Sequence, residues 1–221
     1  MNPVRSERRS DREHPLERSE PDCGNSILNG PESSLLNASN GVKIPVLISA
    51  SRIKSKVKEL AGRISRDYRG KQPLMICILN GAFVFMADLL RNLTIPVECD
   101  FIRLSSYGND TKSSGRIRVV MDIECLVSAK GGSASGGKGK DIIIVDDIID
   151  TGLTTGFLVD RLRRAKARSV KICALLDKPS RRQAPIKIDY PGFTVPNKFV
   201  VGYGIDYKEQ YRQLDYIGYI K

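Results

Sequence analysis

One histidine is all that the 221-residue chain holds, His14, and it lies in a polar stretch. That scarcity removes the Ser/His/Asp and Cys/His arrangements of nucleophilic catalysis, and with them histidine-rich metal sites. No apolar run reaches the roughly 18 residues of a membrane-spanning helix. The opening "MNPVRSERRSDREHP" has no apolar core and so does not read as a secretory signal. It is rich in arginine, as some transit peptides are, but its acidic residues argue against one. The expectation is a cytoplasmic protein without a membrane partner. The five cysteines, Cys23, Cys77, Cys99, Cys125 and Cys173, are odd in number and show no C-x-x-C spacing. They read as buried, reduced thiols rather than a disulfide framework.

Acidic charge is also in short supply, and the net charge of +11 first suggests a nucleic-acid partner. Residues 1–41 hold five Arg against seven Asp/Glu, a net of −2, which leaves +13 on the remainder. The positive charge therefore belongs to the folded body and not to a basic tail. A small phosphorylated substrate calls for such a field as much as DNA does. Residues 1–41 are rich in Ser, Glu, Arg, Asn and Pro and have no helical or strand period, so they read as a disordered extension. Residues 42–221 are long enough for one domain.

Within that domain, Ile53, Val57, Leu60, Ala61, Ile64 and Tyr68 step by three and four, which predicts an amphipathic helix with Ser51 as its N-cap. Strands are predicted at 73–80, 96–107, 116–123, 141–147, 169–178, 198–206 and 216–220, and helices at 82–93 and 153–167. The glycine-rich run 128–140 reads as a linker or hairpin tip. Strands separated by helices predict a doubly wound α/β fold, a mainly parallel sheet with helices on both faces. Ligands of such sheets bind outside the carboxyl ends of the strands.

At one such end the sequence reads "IIIVDDIIDTGLTT", residues 142–155. Gly152 permits a tight turn. The amides of Thr151, Gly152, Leu153, Thr154 and Thr155 would face a concavity at a helix N-terminus, with the three threonine hydroxyls as further donors. This is a phosphate cradle. It lacks the Gly-Lys-Ser/Thr of a P-loop, which disfavours nucleoside-triphosphate hydrolysis. Asp146 and Asp147 cannot bind phosphate, but they can accept from the vicinal hydroxyls of a ribose and hold a hydrated magnesium ion. A phosphate cradle next to a diol-binding acid pair describes a sugar phosphate.

This segment resembles the phosphoribosyl-diphosphate signature of the type I phosphoribosyltransferases. From about residue 43 onward the chain is similar to the hypoxanthine–guanine branch of that family. "LNGAFVFMADLL" resembles its pyrophosphate loop, "SSYGNDTKSSGRIRV" its mobile catalytic loop, and "LLDKPSRR" and "PNKFVVGYGIDYKEQYRQL" its purine-recognition segments. The resemblance implies a small hood beside the main sheet, a homodimer or homotetramer, and the formation of IMP or GMP with magnesium. It gives Asp150 the part of general acid/base, and Asn80, Gly81, Ser106, Tyr107 and Arg212 contacts to phosphoribosyl diphosphate. Ser106 and Tyr107 would open a lid. Lys178 would read the six-position oxygen of the purine, Phe199 would stack on it, and the backbone of Val200 would meet its two-position edge. Asp206 is counted with the purine-binding residues and also joins Asp146 and Asp147 toward the metal, and Lys198 and Arg182 are placed near the same diphosphate end. Where the family often has lysine in the pyrophosphate loop, this chain has Asn80, followed by Gly81. Two other readings stand beside this one: transfer to another base such as xanthine, adenine or orotate, and a regulatory nucleotide sensor that binds RNA.

Overall fold

Isoleucine and valine branch at Cβ and fit a pleated strand better than a helix, and they dominate the strands at the centre of this molecule. The structure, a computed structural model, describes residues 44–106, 117–119 and 139–220. In chain order the elements are β1 (Val46–Ile48), α1 (Ala50–Asp67), β2 (Leu74–Leu79), α2 (Phe83–Asn92), β3 (Glu98–Ser106), β4 (Ile117–Val119), β5 (Asp141–Ile149), α3 (Leu153–Arg164), β6 (Ser169–Asp177), a 3-10 turn (Pro179–Arg181), β7 (Tyr190–Thr194), β8 (Phe199–Val201) and β9 (Ile217–Ile220). A six-stranded sheet runs β4-β3-β2-β5-β6-β7, and a three-stranded hood runs β1-β9-β8. All pairs of the large sheet are parallel except β3 with β4; both hood pairs are antiparallel.

Alternation along the strands sorts the two cores. Met75 and Cys77 of β2 and Ile143 and Val145 of β5 face α1 and α2, where they meet Leu60, Ile64, Phe85 and Met86. Their neighbours Leu74, Ile76, Ile142 and Ile144 face the other way, onto Leu158 and Leu162 of α3. Each fully buried side chain of this size contributes about 1.5–3 kcal/mol, so both faces of the sheet are firmly covered. The six apolar positions predicted for α1 are all buried.

The structure corrects several expectations. The cap of α1 is Ser49, whose side chain accepts from the Arg52 amide, and not Ser51. The predicted strand at 198–206 ends at Val201, because Gly202, Tyr203 and Gly204 take φ of +99°, +51° and +98°. Strands β1 and β7 were not anticipated. The first is only three residues long, and the second, "YPGFT", carries Pro191 and Gly192, which read as breakers. Proline is tolerated there because β7 is an edge strand. Cys77 and Cys173 are buried free thiols, but Cys99 is exposed. The extension 1–41, Tyr107 and the loop after it, and most of the segments 116–123 and 128–140 lie outside the described residues.

Candidate active site

Strands β2 and β5 are parallel neighbours, with Cys77 beside Val145. Their carboxyl ends therefore open side by side, and each leads into a helix N-terminus. After β5, Gly152 takes φ +79° and caps α3. A side chain there would crowd Ile186 at 2.9 Å and Arg182 at 3.1 Å. The first bond of the helix runs from Gly156 N to Gly152 O, so the amides ahead of it have no carbonyl in the helix ladder. Thr151 Oγ1 accepts from Leu153 N at 3.4 Å. After β2, the Leu79–Asn80 peptide is cis, and Asn80 and Gly81 lead into α2.

The two loops touch. A Cβ on Gly81 would fall 1.8 Å from Asp147 Oδ2, so only glycine fits against that carboxylate. Adjacent residues of a strand point to opposite faces, and the acid pair divides accordingly. Asp147 faces Gly81. Asp146 points inward, where its Oδ2 accepts from Thr155 Oγ1 at 2.9 Å and its Oδ1 from Asp147 N at 3.1 Å. Thr155 is buried, and its hydroxyl serves Asp146 instead of the cradle. Burial, and then the Asp147 charge, push the Asp146 carboxyl well above the usual carboxylate range. Burial also raises Asp147, against its hydrogen bonds with Asp146 and the backbone and, least, the pull of Arg212. A cation beside Asp147 would relieve that cost, so the donor chemistry fits a hard ion. Among the described residues, no group of three or more Asp, Glu, His or Cys side chains is gathered closely enough to hold an ion. An ion here would draw its other oxygens from substrate and water.

Asp150 follows at the mouth of the site, with Arg181 Nε 3.2 Å from its Oδ1. Sequence reasoning placed Arg182 at the diphosphate end; the structure puts it behind Asp150. Its Nε donates to Asp150 O at 3.1 Å, and its Nη2 to Ile149 O at 3.2 Å and to the Asp177 carboxylate. Gln183 N and Ala184 N both donate to Thr151 O. The segment after β6 thus braces the turn at residues 150–152 from outside.

Lys178 is buried, and its ammonium donates to Lys198 O at 2.9 Å. Burial lowers its pKa, and the nearby Asp150 opposes the shift. Lys198 itself is turned away, its ammonium 3.7 Å above the Tyr219 ring. Phe199 is 54% exposed, an open aromatic face, and meets Tyr207 edge-on at 5.3 Å. Tyr207 carried no signal in the sequence that set it apart from the neighbouring tyrosines. Val200 lies on β8, one of the two edge strands of the hood. Asp206 and Arg212 form an ion pair of 2.8 Å, and Arg212 also donates to Gly204 O at 2.8 Å. Ser106 ends β3, and Tyr107 lies outside the described residues.

A model of the phosphoribosyl transferase domain matches residues 48–208. The chain belongs to the phosphoribosyltransferase family. Its doubly wound sheet and hood are the type I phosphoribosyltransferase fold. This phosphoribosyltransferase is 49% identical over 176 residues to the hypoxanthine-guanine phosphoribosyltransferase of Bacillus subtilis, covering 80% of this chain and 92% of that one. It is similar to a crystal structure of a hypoxanthine-guanine phosphoribosyltransferase from Bacillus anthracis, with TM-score 0.72 and 43% identity over 81% of this chain and all of that one. It is similar as well to a hypoxanthine phosphoribosyltransferase from Staphylococcus aureus, with TM-score 0.72 and 36% identity over 84% of this chain and 92% of that one.

Proposed function

We propose that this phosphoribosyltransferase works in purine salvage. It would move the phosphoribosyl group of 5-phosphoribosyl diphosphate onto the nine-position nitrogen of hypoxanthine or guanine, giving IMP or GMP and diphosphate. The observation that carries the reading is the contact of the two loops at Asp147. Two helix N-termini open side by side, with a carboxylate between them at Gly81. A ligand with phosphate at both ends and a diol in the middle fits this arrangement. The choice of base rests on Lys178 and on the relatives named for hypoxanthine and guanine.

The turn 151–155 would hold the 5-phosphate through backbone amides and the hydroxyls of Thr151 and Thr154. Asp147 would accept from the ribose hydroxyls, with Asp146 behind it contributing its remaining lone pairs. Asn80 and Gly81 would meet the diphosphate through their amides, which need no lysine side chain, and Asp206 and Arg212 would close that end. Magnesium held by Asp147, Asp206 and the substrate would offset the charge developing on the diphosphate. Asp150 would face the seven-position nitrogen of the purine and hold or release its proton as the nine-position nitrogen attacks. Carboxylates near the sugar favour its oxocarbenium-like transition state. Lys178 would give a hydrogen bond to the six-position oxygen, Phe199 would stack on the ring, and the Val200 carbonyl would accept from the two-amino group of guanine. The enzyme would act in the cytoplasm as a homodimer or homotetramer.

The deciding experiment is kcat/KM for four bases at saturating phosphoribosyl diphosphate with magnesium. An ammonium only donates, so the six-amino group of adenine leaves it unpaired, and discrimination by such a contact reaches about 10⁴–10⁵. Hypoxanthine and guanine are expected to be comparable and xanthine poorer, because its two-position oxygen would face a carbonyl. Adenine within about tenfold of hypoxanthine would remove Lys178 from its role and this base preference with it.

A further inference from the structure

The Gly81 loop is held from two sides. Asp147 covers one. On the other lies Gly204 of the hood: a Cβ there would fall 2.3 Å from the Gly81 carbonyl oxygen. Gly204 belongs to a turn in which Gly202, Tyr203 and Gly204 all have positive φ. For the two glycines this costs little, but an aromatic residue at φ +51° is uncommon and must be held by its surroundings. Tyr203 is held by its phenol, which donates to Asp88 Oδ2 at 2.5 Å. Asp88 stands on α2, the helix whose N-terminus is the Gly81 loop, and is also paired with Arg91. The ring is buried in the core beside Ile53 and Val57, and the Tyr203 amide donates to Leu214 O at 2.7 Å; the phenol bond is the link that runs to α2. A cavity of about 280 Å³ lies against the ring, lined by Ile53, Val57, Asn92 and Asp215. Two residues beyond Gly204 is Asp206, and Arg212 ties Asp206 to the Gly204 carbonyl.

We propose that Tyr203 and Asp88 are positioning residues for the diphosphate end of the substrate. Their hydrogen bond pins the hood turn 202–206 onto the Gly81 loop, and so fixes how the Gly81 backbone, Asp206 and Arg212 meet the leaving group. Neither residue touches substrate. The inference rests on the functional reading above and names the part of the site that the pin serves.

The test uses the full chain with magnesium, and calorimetry on two ligands: phosphoribosyl diphosphate, which has the diphosphate, and GMP, which lacks it. Tyr203→Phe removes one hydrogen bond to a charged acceptor and leaves the ring in place. It is expected to weaken phosphoribosyl diphosphate by about 5- to 20-fold, to leave GMP within about twofold, and to lower the thermal midpoint by no more than about 7 °C. Asp88→Asn keeps an acceptor for the phenol and is expected to stay within about threefold of wild type for both ligands; Asp88→Leu is expected to behave as Tyr203→Phe does. If wild type binds both ligands and Tyr203→Phe leaves both unchanged, or weakens both by the same factor, the pin is overturned and the function stands. If wild type binds neither, the functional reading falls, and the pin with it.

Discussion

Arg182 engages three acceptors at once: the Ile149 and Asp150 carbonyls and the Asp177 carboxylate. Lysine carries a comparable charge but cannot reproduce a planar fork. Arg182→Lys is therefore expected to loosen the backbone that carries Asp150. A displacement of about 1 Å at a reacting group costs on the order of 100-fold, so kcat should fall about 10- to 100-fold while KM for the base moves less than about threefold. An equal loss in kcat and in base affinity would show that Arg182 serves the purine pocket instead. Sequence could not assign this role. An arginine in the polar run "KPSRRQ" looks the same whether it is solvated or turned inward, and which carbonyls it meets depends on a turn 32 residues earlier in the chain. For the same reason the sequence offered the Thr155 hydroxyl to the cradle, whereas it turns inward. Helix phase places Thr155 on the buried side of α3, where Asp146 waits.

Strand β5 begins with one acid and carries another in its second half, and the two behave oppositely. Past its middle, Asp146 is pushed up by burial. At its start, Arg168 holds the Asp141 carboxyl below the usual carboxylate range, with further help from the Ser169 hydroxyl at 2.6 Å. The sign follows from that direction. Folded chains keep Asp141 ionised at pH values where unfolded chains have it protonated. Its contribution is thus complete above about pH 4 and is lost as pH falls further. Asp141→Asn is expected to lower the thermal midpoint by about 2–4 °C at pH 7, and the gap to wild type should close toward pH 3. A gap of the same size at both pH values would mean that packing, not charge, makes the difference. Elements such as β5 and α1 were legible because a long apolar period leaves one solution. Strands β1 and β7 were not, since three residues have no period and Pro-Gly is a turn signal unless an edge position admits it.

At the scale of the whole chain, the basic body and the acidic first 41 residues are separable by composition. The extension has no apolar period with which to dock, so its removal is expected to leave turnover within about twofold and the midpoint within about 5 °C. A larger drop on deleting residues 1–41 would show that it packs on the domain. The hood has a different consequence, and it concerns synthesis. Strand β1 comes from the start of the domain and finds its partner only in β9: Ile48 lies beside Ile217 and Val46 beside Gly218. Ribosomes add about 5–20 residues per second, so β1 is outside for on the order of 10–30 s before its partner exists. All the strands of the six-stranded sheet are made in that interval, and with them the turns after β2 and β5. Strand β8, which carries Phe199 and Val200, also waits for β9. The hood, with the residues proposed to read the base, is therefore the last part to form on a growing chain, and a messenger that stops before residue 217 yields the turns after β2 and β5 without it.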